Sequence, residues 1–468
     1  MSVYVCRSGD NKKASRLIST ADEVRGDESS NSMTMRHVDF DDATLSEWRN
    51  FFENDARRWE FLELSHCSGH VDVILSCLVN KVTRLCIMQS LKTDDAVASL
   101  GKNLLQSNNR KLKMLSIDLT TFTAHQAALF ANGLSKCEHL KTLNISRCTI
   151  DEYGAMSKIA SGLKGNASIN QFRVSACSFA DESLSEWITA IRNHPMLEIL
   201  KIERCEVGVP ELDSIARLLE SDTSVLKHLS LRWNRRKGGR FSEHYEQILP
   251  APIRALKKNT SLISLDLVGN FVSDQDMTEW VTVLQKNTTL QSLNLGSNQL
   301  TSPSKLIQTL QTGNSTLLNL DLSSNRIGDA EVQGFATCIR GMRTGLKRLN
   351  LRVNSFGLEG TTAILDALDS NTVLESLELP KLDFISSQKL QHMTCFNRGG
   401  RRLLGSEEGV CSAIWPLVLE RANKISYYNN AGDKWMQPTD ESNRANVIFS
   451  LLLGPVLLEQ RSRNTGRS

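Results

Sequence analysis

The sequence predicts an α/β solenoid: a curved parallel sheet of short strands along the concave side, with helices along the convex side. Two observations carry this. Leucines recur at a fixed period, and within each period the apolar pattern changes from alternation to helical spacing. Leu317-x-x-Leu320-x-Leu322-x-x-Asn325-x-Ile327 is the model repeat, and others open at Leu140, Leu197, Leu226, Leu262, Leu290, Leu346 and Leu374, with weaker copies at Trp59, Val82, Leu112 and Ile169. From Leu262 to Leu374 successive openers lie 28, 27, 29 and 28 residues apart. That spacing is long enough for one strand and one helix, and too regular for independent domains. Alternate apolar residues point inward from the strand, while Asn325 sits where the chain turns and can bond buried backbone. A single repeat has no core of its own, so stacking is obligatory.

The helical half is written three times. Asp42-Ala-Thr-Leu45-Ser-Glu-Trp48, Asp181-Glu-Ser-Leu184-Ser-Glu-Trp187 and Asp274-Gln-Asp-Met277-Thr-Glu-Trp280 share one pattern. Each leading Asp is placed to cap a helix, and each Leu/Met and Trp, three apart, share a face. Repeat phase puts the Trp stripe between helix and sheet, in the core. Asn259-Thr260, Asn287-Thr288 and Asn371-Thr372 each precede a strand leucine by three residues and predict a left-handed helix end.

Composition supports a single elongated body. The chain has 468 residues, 40% hydrophobic content and a formal net charge of +3, so no bulk field marks a nucleic-acid or membrane-surface protein. The start, Met1 to Arg7, lacks a signal-peptide core, and no later apolar run approaches the roughly 20 residues needed to span a bilayer. The expectation is a soluble cytoplasmic protein, with the nucleus as a second location. Eleven cysteines are present. Cys67, Cys148, Cys177 and Cys205 take the Asn/Cys slot, where a small buried side chain is wanted. Cys67 would then point inward and His66 outward, which argues against a shared metal in His66-Cys67-Ser68-Gly69-His70. The sequons at Asn144, Asn166, Asn259, Asn287 and Asn314 read as turn habits of the repeat. No nucleotide loop, nucleophile elbow or zinc-protease motif occurs. Catalytic residues, metal ligands and cofactors are therefore assigned to none, and the expectation is a non-enzymatic binding protein.

Strand phase exposes Ser146, Arg147, Arg173, Lys201, Glu203, Arg204, Arg232 and Trp233 on the concave face, and farther on Ser264, Asp266, Ser292, Asn294, Asn319, Asp321, Ser323 and Ser324. The face thus changes from basic to small, polar and mildly acidic. Between the openers Leu226 and Leu262 the spacing is 36 residues, so about eight are inserted. The insertion carries Arg235-Arg236-Lys237-Gly238-Gly239-Arg240. Arg147, Arg173, Lys201, Arg204, Arg232, Trp233, Arg235, Arg236, Lys237 and Arg240 are assigned to one docking site for a protein partner with an acidic surface. The competing reading is a solvated basic face. Nucleic acid is disfavoured, because Glu203 interrupts the patch and one aromatic is a thin stacking platform.

The ends complete the organisation. Residues 1–36, polar and charged, are expected to be disordered. Residues 37–383 form the solenoid, with the helix of Asp42 to Arg58 capping its first strand. Residues 384–468 form a C-terminal helical cap, in which apolar segments at Ala413 to Asn423 and Ala445 to Leu453 flank a mobile polar loop before a basic tail.

The period and the Leu317-x-x-Leu320-x-Leu322-x-x-Asn325 pattern resemble the ribonuclease-inhibitor-like class of leucine-rich-repeat proteins over residues 59–383. The stretch from Cys395 to Leu404 with Trp415-Pro416-Leu417-Val418-Leu419 is similar to the tail of an uncharacterised algal-type leucine-rich-repeat family. The resemblance implies a leucine-rich-repeat solenoid that binds other proteins, and the expectation is a monomeric or weakly associating protein–protein interaction scaffold. A Ran-type GTPase activator is the alternative reading. Those activators share the period but carry an acidic tail, whereas this chain ends Arg461-Ser-Arg463-Asn-Thr-Gly-Arg467-Ser468. Residues 1–58 do not resemble an F-box, and they leave no room for the nucleotide-binding domain that an NLR-type sensor would be expected to carry there.

Overall fold

Alternation sorts the strand residues as expected. In Thr142–Ser146, Gln171–Ser175 and Ile199–Glu203 the residues Leu143, Ile145, Phe172, Val174, Leu200 and Ile202 are buried, and the side chains between them reach the open face. The three strands pair in parallel with these residues in line, Leu143 beside Phe172 beside Leu200. Each rung therefore lays one layer of apolar side chains on the next, which is how repeats without individual cores make a shared one.

The computed structural model describes residues 5–6, 32–54, 59–105, 109–150, 152, 154–179, 183–236, 250–314, 316–342, 345–380 and 382–399. The chain divides into two units, Met1–Asn270 and Phe271–Ser468. In the N-terminal unit the rungs run Ser32–Arg36, Trp59–Ser65, Val82–Met88, Met114–Asp118, Thr142–Ser146, Gln171–Ser175, Ile199–Glu203, His228–Ser230 and Ser264–Asp266, each parallel to the next. Ser32–Arg36 corrects the expected boundary at residue 37. Met33 and Met35 are buried and pair with Leu62 and Leu64, although Ser32-Met-Thr-Met-Arg36 contains no leucine to announce a repeat. Val5–Cys6 pairs with this rung in turn, so it too is ordered in a segment expected to be disordered. In the C-terminal unit Ser292–Asn294, Asn319–Asp321, Arg348–Asn350 and Ser376–Glu378 form consecutive rungs, with Leu293, Leu320, Leu349 and Leu377 in line.

Helices cover the other side. Trp48, Trp187 and Trp280 are fully buried in Asp42–Asn54, Ser183–Ala190 and Met277–Lys286, and the Trp187 indole N–H donates to the Met156 carbonyl at 3.1 Å. The stripe is core, as repeat phase requires. The expected Asp caps are corrected. Asp41, not Asp42, accepts from Thr44 N at 2.9 Å, while Asp42 meets His70 Nε2 at 2.8 Å. Asp274 accepts from Thr301 N and Ser302 N in the following repeat, and Asp276 closes the turn by accepting from Ser273 N at 2.9 Å. Asp181 lies outside the described residues.

The expected left-handed helix ends are also corrected. Asn287 is extended, with φ −78° and ψ 126°. Its side-chain oxygen accepts from Thr289 N and Leu290 N. Asn259 and Asn371 bond the following strand in the same way and also donate to the carbonyls of Leu219 and Ile339, one helix back. An amide that bonds both ways removes the need for a left-handed cap.

In the C-terminal unit the helix Phe384–Gly399 follows the last rung. Leu390 and Cys395 are buried, and Asn397 Nδ2 donates to the carbonyls of Asn371 and Leu374 at 3.0 and 2.9 Å. This helix occupies the start of the span, residues 384–468, expected to form a helical cap. The segments at Ala413 to Asn423 and Ala445 to Leu453, the loop between them and the basic tail lie outside the described residues. Among the described residues no helix is long and apolar enough to cross a membrane.

Candidate functional site

The open face of the N-terminal unit is built by side chains that leave neighbouring rungs in one direction. Parallel register places Arg173 beside Lys201 and Lys201 beside Ser230. Close rungs make cross-strand pairing easy, and the arginines use it. Arg147 forks onto Asp118, with Nε at 2.8 Å from Oδ1 and Nη2 on Oδ2. Arg173 Nη2 meets Glu203 Oε2 at 2.7 Å, and Arg232 Nε lies 3.5 Å from Asp266. The Asp118 carboxylate raises the pKa of Arg147 further, chiefly through this hydrogen bond. Glu203 also accepts from Ser230 Oγ at 3.0 Å, so both its oxygens are engaged.

The row of cations expected from strand phase is present, but Arg147, Arg173 and Arg232 form a ladder of ion pairs, each meeting a carboxylate from a neighbouring rung. Among these side chains five cations face three carboxylates. Lys201 and Arg204 make no ion pair among the described residues and leave the local excess positive. Sequence phase located the cations and Glu203. It paired none of them, because the contacts join residues about one repeat apart, as Arg147 joins Asp118.

Backbone conformation adds a feature that phase alone did not show. One residue just before each Asn/Cys slot is left-handed: His66, Gln89, Leu119, Arg147, Ala176, Arg204 and Trp233 in this unit, with φ between 48° and 56°. Each N–H reaches the next rung, as Arg204 N does to Arg232 O at 2.9 Å and Trp233 N to Val268 O at 2.7 Å. The strand ends there, and the left-handed turn sends the side chain outward at the rim. Arg204 and Trp233 thus hold equivalent places on adjacent rungs, and Gly269, with φ 69°, follows on the third.

Trp233 is 44% exposed. Its indole lies against Gly269 so closely that a Cβ on that glycine would fall 2.6 Å from Cδ2 and overlap Cε3. One face of the ring rests on backbone and the ring stays open to solvent. Arg235–Arg236, the start of the expected insertion, forms a short parallel pair with Glu206–Val207. Lys237 and Arg240 lie outside the described residues.

Burial pushes Cys86 up to about 11 and Cys205 up to about 12. Interaction between the Cys148 and Cys177 thiols lowers the pKa of the first and raises that of the second. Cys67 is buried with Sγ directed at the Met35 and Ser65 carbonyls, whereas His66 stacks on His37 at 4.8 Å. The two residues thus point apart. No group of three His, Cys, Asp or Glu able to hold a metal occurs among the described residues. The sequon residues Asn166, Asn259, Asn287 and Asn314 are buried with their amides bonded to backbone.

A family model described as Leucine Rich repeat matches residues 136–157, 286–303 and 313–336. No curated protein matches the chain. Among solved structures it is similar to the yeast Rad7 and Elc1 complex, at 17% identity and TM-score 0.43, covering 81% of this chain and 81% of that one. It is also similar to an internalin from Listeria monocytogenes, at 18% identity and TM-score 0.39, covering 81% and 91%. The TLR13–ssRNA13 complex follows at 13% identity and TM-score 0.41, covering 76% of this chain and 48% of that one. The repeat match and the stacked parallel rungs with covering helices show the α/β solenoid fold of leucine-rich repeats.

Proposed function

We propose that this chain is a non-enzymatic scaffold, of the ribonuclease-inhibitor-like kind, that holds a protein partner on the open face of its N-terminal unit. The observation that carries the reading is the unmatched positive charge of Lys201 and Arg204 beside the exposed Trp233. Charged groups already paired within a face contribute little to a partner, since the pair must be opened first. Unpaired cations next to a rigid aromatic have no such cost, and interface energy concentrates in such residues. The partner surface is acidic, and the insertion that begins at Arg235-Arg236 extends the contact. The scaffold is a soluble, intracellular monomer.

Crosslinking of the native chain in lysate, followed by mass spectrometry, names the partner. The purified pair is then measured with Lys201→Glu/Arg204→Glu and with Lys158→Glu on the helical side. The first variant is expected to weaken binding at least about 100-fold and the second by less than about twofold. Equal affinity for all three proteins overturns the proposal. A small GTPase partner would keep its intrinsic rate of GTP hydrolysis in the complex; acceleration would establish the activator reading instead.

A further inference from the structure

We infer that Trp233 and Gly269 form a preorganised aromatic anchor point, and that its occupant is a peptide segment of the partner carrying a planar side chain next to carboxylates. The inference rests on the scaffold reading and narrows it to one contact. The left-handed backbone at this place recurs along the unit, at His66, Gln89, Leu119, Arg147, Ala176 and Arg204, so the fold sets the conformation and leaves the side chain free to serve the open face. Trp233 puts there a large ring that is 44% exposed, and interface energy concentrates in aromatic and basic residues of this kind.

The surroundings explain how it is held and what it fits. Gly269 lets the indole lie on the main chain, so the ring is fixed without being buried. A fixed planar surface loses little entropy on binding, and it stacks well with another planar group. Arg204 is its neighbour at the same rim position of the preceding rung, about 5 Å away at the usual strand separation. Lys201 stands three residues back on that rung. A planar side chain on Trp233 therefore brings flanking carboxylates to both unmatched cations. Phosphate chains fit less well, because Glu203, Asp118 and Asp266 line the same face and repel an extended polyanion. Gly269 acts here as a positioning residue: it touches the indole and not the partner.

The test uses the full chain and three probes: a random glutamate–tyrosine copolymer, polyglutamate of equal length and an oligo-dT strand, each labelled for fluorescence anisotropy. The copolymer is expected to bind at least about tenfold more tightly than polyglutamate. Trp233→Gly and Gly269→Ala should each erase that difference and keep the circular dichroism spectrum. Trp233→Gly should also keep the melting temperature within about 3 °C, since relief of the left-handed backbone offsets the lost ring contact. Equal binding of the two acidic polymers overturns the anchor while leaving a purely electrostatic scaffold standing. Failure of both acidic polymers to bind, or tighter binding of oligo-dT, overturns the anchor and the acidic-partner reading together.

Discussion

The repeats with cysteine in the slot and those with asparagine make the same turn by different means. In the N-terminal unit the N–H after the slot bonds the carbonyl of the previous slot residue, as Ser178 N does to Cys148 O at 3.0 Å and Ser68 N to Val38 O at 3.0 Å. In the C-terminal unit the equivalent N–H bonds two residues farther along, Arg326 N to Leu300 O and Ser355 N to Ile327 O, both at 2.9 Å. The shift follows from the side chain. Asn325 Oδ1 takes the Leu300 N–H at 3.1 Å, and its Nδ2 donates to Leu295 O and Leu322 O at 3.0 Å each. A thiol offers one weak donor, so Cys148 reaches only Ser146 O at 3.2 Å and Ile117 O at 3.7 Å. The backbone then supplies the rest through a second short pairing, Thr149–Ile150 with Ser178–Phe179. Asparagine gathers the turn into one residue; cysteine leaves it spread over several.

That difference predicts unequal sensitivity to mutation. Asn325→Ala strands the buried Leu300 N–H and takes one of two amide donors from Leu295 O and Leu322 O, which keep Asn298 Nδ2 and Asn354 Nδ2, so a loss of about 2–3 kcal/mol is expected. Cys148→Ala removes a small apolar volume and two weak contacts, for roughly 1 kcal/mol. Urea titration of both variants compares them directly. Equal shifts in midpoint would show that the backbone carries the turn in both kinds of repeat.

The part of the molecule legible in sequence was the part that repeats. Leucine spacing gave the rungs, the three Asp-to-Trp segments gave the buried helix face, and strand phase put Arg147, Arg173, Lys201, Arg204, Arg232 and Trp233 on the open side. Contacts between repeats were hidden. Whether Arg173 meets Glu203 or solvent depends on register across the sheet, and Asp274 looked like a cap for its own helix until Thr301 and Ser302 were seen above it. Ser32–Arg36 was missed because its buried residues are methionines in an otherwise polar stretch. The role of Gly269 had no signal at all in one sequence, since it lies in the indole that rests on it.

A milder test separates the ion-pair ladder from the turns. Arg173→Met keeps the aliphatic stem on the face and removes the charge opposite Glu203. The Arg173 side chain is 42% exposed, so water screens the pair, and the expected loss is below about 1 kcal/mol. The variant should affect partner binding less than Lys201→Glu/Arg204→Glu, because Arg173 is already matched. A larger stability loss than Asn325→Ala would mean that the ladder, and not the slot residues, holds the repeats together.

Asp276 gives the smallest effect and a distinctive pH dependence. It is buried and caps its own turn through Ser273 N, and burial raises its pKa above the ordinary carboxylate range. The folded state therefore binds the proton more tightly than the unfolded chain. Its favourable contribution is complete below the unfolded pKa and is lost as pH rises through the folded one. Asp276→Asn keeps an acceptor for Ser273 N and abolishes the titration. Relative to the parent, the variant should show little change in acid, then gain stability as pH climbs from the unfolded pKa through the folded pKa, with no further gain above that. Thermal melts across this range check the sign. A variant whose advantage grows toward acid would show that the carboxylate is stabilised by the turn N–H more than it is penalised by burial.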